Sequence, residues 1–187
     1  LDKIEKLFDG PDKISHEYFD ILTNDILTRH HHPLAKAERD KLKLHPSAVL
    51  VPICFSNNEV KILLTKRLDN LKDHAGQISF PGGKIDKNDE TPIVTALREA
   101  SEEVGLRTDD VSVIGNLDVY ITGTGFRIIP IVSIISDYSY LKPNQNEVDE
   151  IFYLPLDFLM DKKNHKKGSA IYEVNCKKYE YDYHVLP

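Results

Sequence analysis

Three glutamates stand close together in the chain: Glu99, Glu102 and Glu103. They lie in residues 91–104, where Ile93, Leu97, Ala100 and Val104 recur at helical spacing with Ala96 beside them. Thr91 can cap this helix, Pro92 fits its first turn, and Gly105 supplies the stop before Leu106 re-enters the core. At about 100° per residue, Glu103 lies about 40° from Glu99, and Glu102 about 60° on the other side. The spacing therefore predicts three carboxylates on one helix face. Left alone they repel, and the C-terminal half of a helix disfavours anions further. Arg98 and Lys84 are the nearby counter-ions. Oxygen-rich clusters of this kind suit a hard divalent cation such as Mg²⁺ and not zinc. A solvated acidic face is the plainer alternative.

The elements that must position these acids follow from patterning. Residues 48–55 are a near-continuous apolar strand, and 60–65 read as its returning partner across Ser56-Asn57-Asn58. A polar loop, 68–75, leads to an alternating segment, 77–80, stopped by Pro81-Gly82-Gly83. Beyond the helix, 111–121 and 126–135 are predicted strands flanking Thr122-Gly123-Thr124-Gly125. Residues 148–154 form another, ended by Pro155 and followed by a short helix to Met160. Residues 162–168 read as a basic surface loop, and 171–174 with 179–183 as a last hairpin. Upstream, Ile14, Tyr18, Phe19, Leu22, Ile26 and Leu27 predict one amphipathic helix, followed by His30-His31-His32. Adjacent histidines on a helix diverge by about 100°, so a solvated helix end is the simpler reading of that run. The sum is a mixed α/β domain at 47–187 behind a helical extension at 1–46.

Composition narrows the function. With Lys+Arg 24 against Asp+Glu 30, the net charge is −6, which disfavours nucleic acid as a partner. An anionic substrate would need a positive intermediary. The two cysteines, Cys54 and Cys176, are far apart; this excludes a disulfide scaffold and fits a reducing compartment, so a cytoplasmic setting is expected. Leu1 is not an initiator methionine, which leaves organellar placement open. No apolar run has the length of a membrane span. Gly82-Gly83-Lys84 is not a Walker loop, since Ile78 and Ile85 occupy its Gly and Ser/Thr positions, and no G-x-S-x-G or H-E-x-x-H motif occurs.

Residues 83–106, GKIDKNDETPIVTALREASEEVGL, resemble the Nudix box of the Nudix hydrolase superfamily. Arg98 to Leu106 matches its REUxEExGU half. Glu90 precedes Arg98 by seven intervening residues, with six and not five separating it from Gly83. The upstream residues Leu63-Leu64-Thr65-Lys66-Arg67, Leu71, His74, Gly76-Gln77 and Phe80 to Lys84 are similar to the signature of the coenzyme A pyrophosphatase branch. The chain departs from that branch in having no Trp, where a Trp-Gly-x-Thr-Ala-like segment is expected.

The resemblance implies a Nudix-type α/β/α sandwich with a mixed central sheet. It implies Glu99, Glu102 and Glu103 as ligands of Mg²⁺ or Mn²⁺, with Arg98 holding them and Gly105 closing the helix. It implies cleavage of the pyrophosphate of CoA or an acyl-CoA, a small-molecule nucleotide substrate. Arg67, His74, Gln77, Gly83 and Lys84 are the expected substrate-binding residues, each with a packing role as its alternative. Glu102, sharing ligation with assistance to the attacking water, is the first candidate base and Glu147 the reserve; Glu147, Asp149 and Glu150 sit beside a strand start. A pyrophosphatase of ADP-ribose or NADH, and a non-catalytic nucleotide-binding module on the same fold, are the competing readings. Oligomeric state is not legible.

Overall fold

A computed structural model describes residues 44–56, 59–71, 74–122, 125–174 and 177–185. The expected N-terminal helix, the three-histidine run and Cys176 lie outside the described residues. In chain order the elements are β1 (His45–Ser56), β2 (Glu59–Arg67), β3 (Ile78–Ser79), β4 (Gly82–Lys84), α1 (Pro92–Val104), β5 (Val111–Asn116), β6 (Tyr120–Ile121), β7 (Phe126–Ile135), β8 (Val148–Pro155), α2 (Leu156–Met160), β9 (Lys166–Val174) and β10 (Lys177–Val185).

β1 and β7 form the centre. They run parallel, paired from His45↔Phe126 to Cys54↔Ile135, and both faces are covered, which is why each reads as a continuous apolar run. Alternate residues serve opposite faces. Ala48, Leu50, Cys54, Ile129, Ile131 and Ile135 share one buried cluster with Ala96, Ala100 and Val104 of α1. Val51, Ile53, Val132 and Ile134 belong to a second cluster with Ile62, covered in part by Leu156 and Leu159 at α2. The sheet is thus sandwiched between α1 and α2, a mixed α/β/α arrangement.

Two prolines mark gaps in the ladders. The other edge of β1 is shared: β4 pairs with Ser47–Val49 and β2 with Ile53–Ser56. Between them Leu50 N–H donates to Pro81 O at 2.8 Å, and Pro52, two residues on, faces the same gap without an N–H to leave unpaired. Pro130 does likewise in β7. The predicted strand at 111–121 is in fact two, β5 and β6, pairing with Ile131–Ile135 and Arg127–Ile128 respectively. Opposite Pro130, which cannot donate, the chain leaves the ladder, keeps only Leu117 N–H to Pro130 O at 3.0 Å, and buries Val119 instead.

β8 pairs along β2, and β9 with β10 form a separate antiparallel ribbon. The basic segment at 162–168 is not all loop. A 3₁₀ turn covers Lys162–Asn164, and pairing that extends to Lys166↔Val185 draws Lys166, Lys167 and Gly168 into β9.

Candidate functional site

The site grows from the contact of β4 with α1. Thr91 caps the helix, its Oγ1 accepting from Val94 N–H at 3.3 Å, and Gly105 ends it at φ 70°, a conformation open to glycine. Gly82 and Gly83 are small for reasons of space. A Cβ on Gly82 would lie 2.5 Å from Ala48 O, and one on Gly83 2.5 Å from the Glu99 carboxylate carbon. The backbone of β4 therefore lies directly on the acidic side of α1.

That contact splits the three acids. The buried residues of α1 include Pro92, Thr95, Ala96, Ala100, Glu103 and Val104, while Ile93 and Leu97 are only half-buried. Glu103, expected on the polar face, is 4% exposed. Glu99 is half-buried and Glu102 exposed. Gly82 N–H donates to Glu103 Oε2 at 3.2 Å, and Arg67 Nη1 lies 3.5 Å from Oε1. Burial pushes the Glu103 carboxyl up to about 7 against these two partners, and the charges of Glu99 and Glu147 push the same way. Burial also raises Glu99, opposed by Arg98 and assisted by Glu102 and Glu147. Glu147 thus stands within electrostatic reach of both.

Arg98 is the hub. Its Nε donates to Asp89 Oδ1 at 3.1 Å and its Nη2 to Oδ2 at 2.9 Å. Nη2 also donates to Lys84 O at 3.2 Å, while Nη1 reaches Glu99 Oε1 at 2.9 Å and Glu102 Oε2 at 3.3 Å. Asp89 is buried, and Arg98 holds its carboxyl down at about 2, helped by Asp86 N–H and the Thr95 hydroxyl. The acid that anchors Arg98 is therefore Asp89 and not Glu90, which is exposed. Asp89 follows Gly83 with five residues between and precedes Arg98 with eight, so reading the aspartate as the motif's acid moves the one-residue departure to the other side of it.

The rim carries the other expected residues. Lys84 does not pair with the helix acids; its Nζ sits 5.5 Å from the Phe126 ring centre. His45 and His74 flank the same ring at 5.7 and 6.0 Å. His74 has φ 57°, an uncommon conformation for a residue with a side chain, and its Nδ1 is 2.9 Å from Gln77 Oε1. Lys66 is engaged by Asp149 at 2.8 Å, whereas Arg67 leaves its buried Nε without a hydrogen-bond partner. Phe126 and His45 were not legible as site residues, because only the parallel β1–β7 register brings them together.

Among the described residues, no three His, Cys, Asp or Glu side chains converge on a common point: Glu102 faces Arg98, and Glu103 faces Gly82 and Arg67. The donors are nonetheless all carboxylate oxygens, and the buried Glu103 is under-compensated. That donor chemistry fits a hard dication once Glu102 leaves Arg98.

Comparison with known proteins bears on the family and the fold. The model of the NUDIX domain family matches residues 44–173. A Pectobacterium atrosepticum protein named uncharacterized Nudix hydrolase NudL is 42% identical over 134 residues, covering 72% of this chain and 69% of the relative. A protein of the same name from Escherichia coli strain SMS-3-5 is 37% identical over 140 residues, 75% of this chain and 72% of the relative. Among solved structures, the M. Smegmatis Nudix hydrolase RenU superposes with a TM-score of 0.52 at 20% identity, covering 63% of this chain and 74% of that one. The NUDIX domain of Shewanella oneidensis NrtR complexed with ADP ribose gives 0.50 at 17% identity, covering 68% and 87%; identities this low speak to the fold alone. With the matched family model spanning β1 through most of β9 and Arg98, Glu99, Glu102 and Glu103 standing on its central helix, the chain belongs to the NUDIX domain family, among relatives named Nudix hydrolases.

Proposed function

We propose that this protein hydrolyses the pyrophosphate bond of CoA or an acyl-CoA with Mg²⁺ or Mn²⁺, releasing phosphopantetheine, or its acyl form, and adenosine 3′,5′-bisphosphate. The observation that carries the metal dependence is the buried, under-compensated Glu103 beside Glu99 beneath the Gly82-Gly83 backbone. Glu99 and Glu103 are the principal ligands, and Glu102 joins them when it leaves Arg98. The ion, when bound, offsets pyrophosphate charge and eases ionisation of the attacking water. Arg98 touches no substrate; anchored on Asp89, it orients Glu99 and Glu102. Glu147, an unligated acid near the pair, accepts the proton of the attacking water. The water oxygen bonds to one phosphorus, and the bridging P–O bond breaks toward the other phosphate. Glu102 is the alternative acceptor.

The rim supports the CoA reading. CoA carries a 3′-phosphate that ADP-ribose and NADH lack. Lys84 has no ion pair among the described residues and shares the Phe126 ring with His45 and His74. Arg67, Gln77 and the Gly83 backbone complete the proposed phosphate-binding surface. The two dispersed cysteines support a cytoplasmic setting, and no helix among the described residues is long and apolar enough to cross a membrane.

The test is product analysis with CoA, 3′-dephospho-CoA, ADP-ribose and NADH, each with Mg²⁺ or Mn²⁺ and with excess chelator. CoA should have the highest kcat/KM. Equal values for CoA and its 3′-dephospho form would overturn the 3′-phosphate reading and favour a dinucleotide pyrophosphatase. Robust turnover in chelator would overturn the metal assignment. Binding without turnover of any substrate would favour the non-catalytic module.

A further inference from the structure

The last turn of α1 leaves carbonyls that have no partner within the helix. Gly105 N–H serves Ser101 O, and Leu106 N–H serves Ala100 O. The next three are met by one segment of the chain. Asn144 Nδ2 donates to Glu102 O at 3.2 Å, Asn144 N–H to Glu103 O at 2.8 Å, and Lys142 N–H to Val104 O at 3.1 Å. Two of these carbonyls belong to the residues whose side chains form the acidic site.

The acceptors of Asn144 point the other way along the chain. Its carbonyl accepts from Glu147 N–H at 2.9 Å and Val148 N–H at 2.8 Å, and its Oδ1 accepts from Asn146 N–H at 3.1 Å. This turn places Glu147 at the mouth of β8, where Glu147 O accepts from Leu68 N–H at 3.1 Å. Every polar atom of Asn144 is used: its two donor groups hold the acidic helix, and its two acceptors fold the segment bearing Glu147.

We propose that Asn144 is the positioning residue that fixes Glu147 relative to Glu99 and Glu103: its side-chain amide, held between Glu102 O and Asn146 N–H, braces the main-chain bonds that join the segment bearing the proton acceptor to the metal-binding helix. The inference rests on the reading of Glu147 as the acceptor. It explains why an asparagine stands there. Alanine would lose both side-chain bonds. Aspartate would keep the acceptor for Asn146 but set a charge against Glu102 O, at the negative end of the helix.

The experiment compares Asn144→Ala, Asn144→Asp, Glu147→Gln and the double variant Asn144→Ala/Glu147→Gln, with CoA and saturating Mn²⁺. Both Asn144 variants should lower kcat about 10–100-fold, with KM within about twofold. Since Asn144 acts through Glu147, the double variant should be no slower than Glu147→Gln within about twofold. Losses that multiply in the double variant, or wild-type kcat in Asn144→Asp, would overturn the proposal. So would normal kcat in Glu147→Gln, which would remove the acceptor itself. A second readout needs no turnover and therefore separates this proposal from the substrate assignment. Hydrogen exchange at the Glu147 and Val148 amides should accelerate about tenfold or more in Asn144→Ala while the Ala96–Ala100 amides stay protected. Unchanged protection at Glu147 and Val148 would overturn the staple whatever the substrate.

Discussion

Replacing Glu103 by glutamine should make the metal-free protein more stable and inactive at once. The carboxyl is 4% exposed, and burial carries it from 4.5 to about 7. Between those values the folded protein keeps a proton that the unfolded chain releases. The stability this group contributes is therefore full below about pH 4.5 and is lost as pH rises through about 7. At ~1.4 kcal/mol per pH unit, the loss approaches about 3 kcal/mol by pH 8, of which roughly 2–3 kcal/mol falls between pH 5 and pH 8. Glutamine cannot ionise, and its Oε1 still accepts from Gly82 N–H. The difference in stability between Glu103→Gln and wild type should therefore widen by about 2–3 kcal/mol over that interval, about 5–10 °C in Tm for a chain of this size. Urea and thermal melts in chelator at pH 5, 6, 7 and 8 measure it, and the shared contributions of other groups cancel in the difference. Adding Mn²⁺ should raise the wild-type Tm more than the variant's, because a neutral amide is a poorer ligand. Parallel pH curves for the two proteins, or a variant less stable at pH 8, would refute the assignment of Glu103 as a buried, under-compensated acid.

Asp89→Asn should cost about 3 kcal/mol at pH 7 by leaving the Arg98 guanidinium half-partnered. Because Arg98 holds the Asp89 carboxyl at about 2, the wild-type advantage is present above the ordinary value of 3.8 and should shrink as pH falls toward 2, which denaturant melts at pH 3 and 7 check. Gly83→Ala places a Cβ 2.5 Å from the Glu99 carboxylate and should lower kcat at least about tenfold while preserving the fold, as paired kinetics and circular dichroism would show. As Mn²⁺ is raised from subsaturating to saturating levels, a ligand variant should recover activity in part, while a base variant should stay slow even at saturation. With Glu147 as acceptor and Glu102 as ligand, Glu147→Gln stays slow and Glu102→Gln recovers in part; the reverse pattern exchanges their roles.

The helix at 91–104 was legible because its cap, its apolar stripe and its glycine stop are local signals. The gradient from exposed Glu102 to buried Glu103 was not, because it depends on where β4 lies, and nothing within the helix says so. Spacing alone could not choose the anchor: Asp89 fits the five residues after Gly83, whereas Glu90 fits both the seven residues before Arg98 and the expected residue type. The break between β5 and β6 comes from Pro130, whose missing N–H matters only once the strands are paired. His45 and Phe126 are remote in sequence and meet through register alone. Glu147 stood out as one of three acids near a strand start, yet its proximity to α1 rests on Asn144, which carries no motif.

The parallel pairing of β1 with β7 also sets the order in which the protein can be made. His45 is bonded in register with Phe126, so the first described strand leaves the ribosome long before its neighbour exists. At ~5–20 residues per second the wait is on the order of 4–16 s. During it Leu50, Val51 and Ile53 have at first only the β2 hairpin for shelter, later joined by β4 and α1, and local hairpins on their own are marginal. Everything that makes the acidic site from Gly82 to Glu103 lies inside the loop which β7 closes, and that closure is a non-local event that slows folding. A nascent chain stalled before Phe126 should consequently expose an unpaired edge of β1 and draw chaperones, whereas emergence of the chain through Pro155, which adds β7, Glu147 and β8, should let the sheet and the site form together.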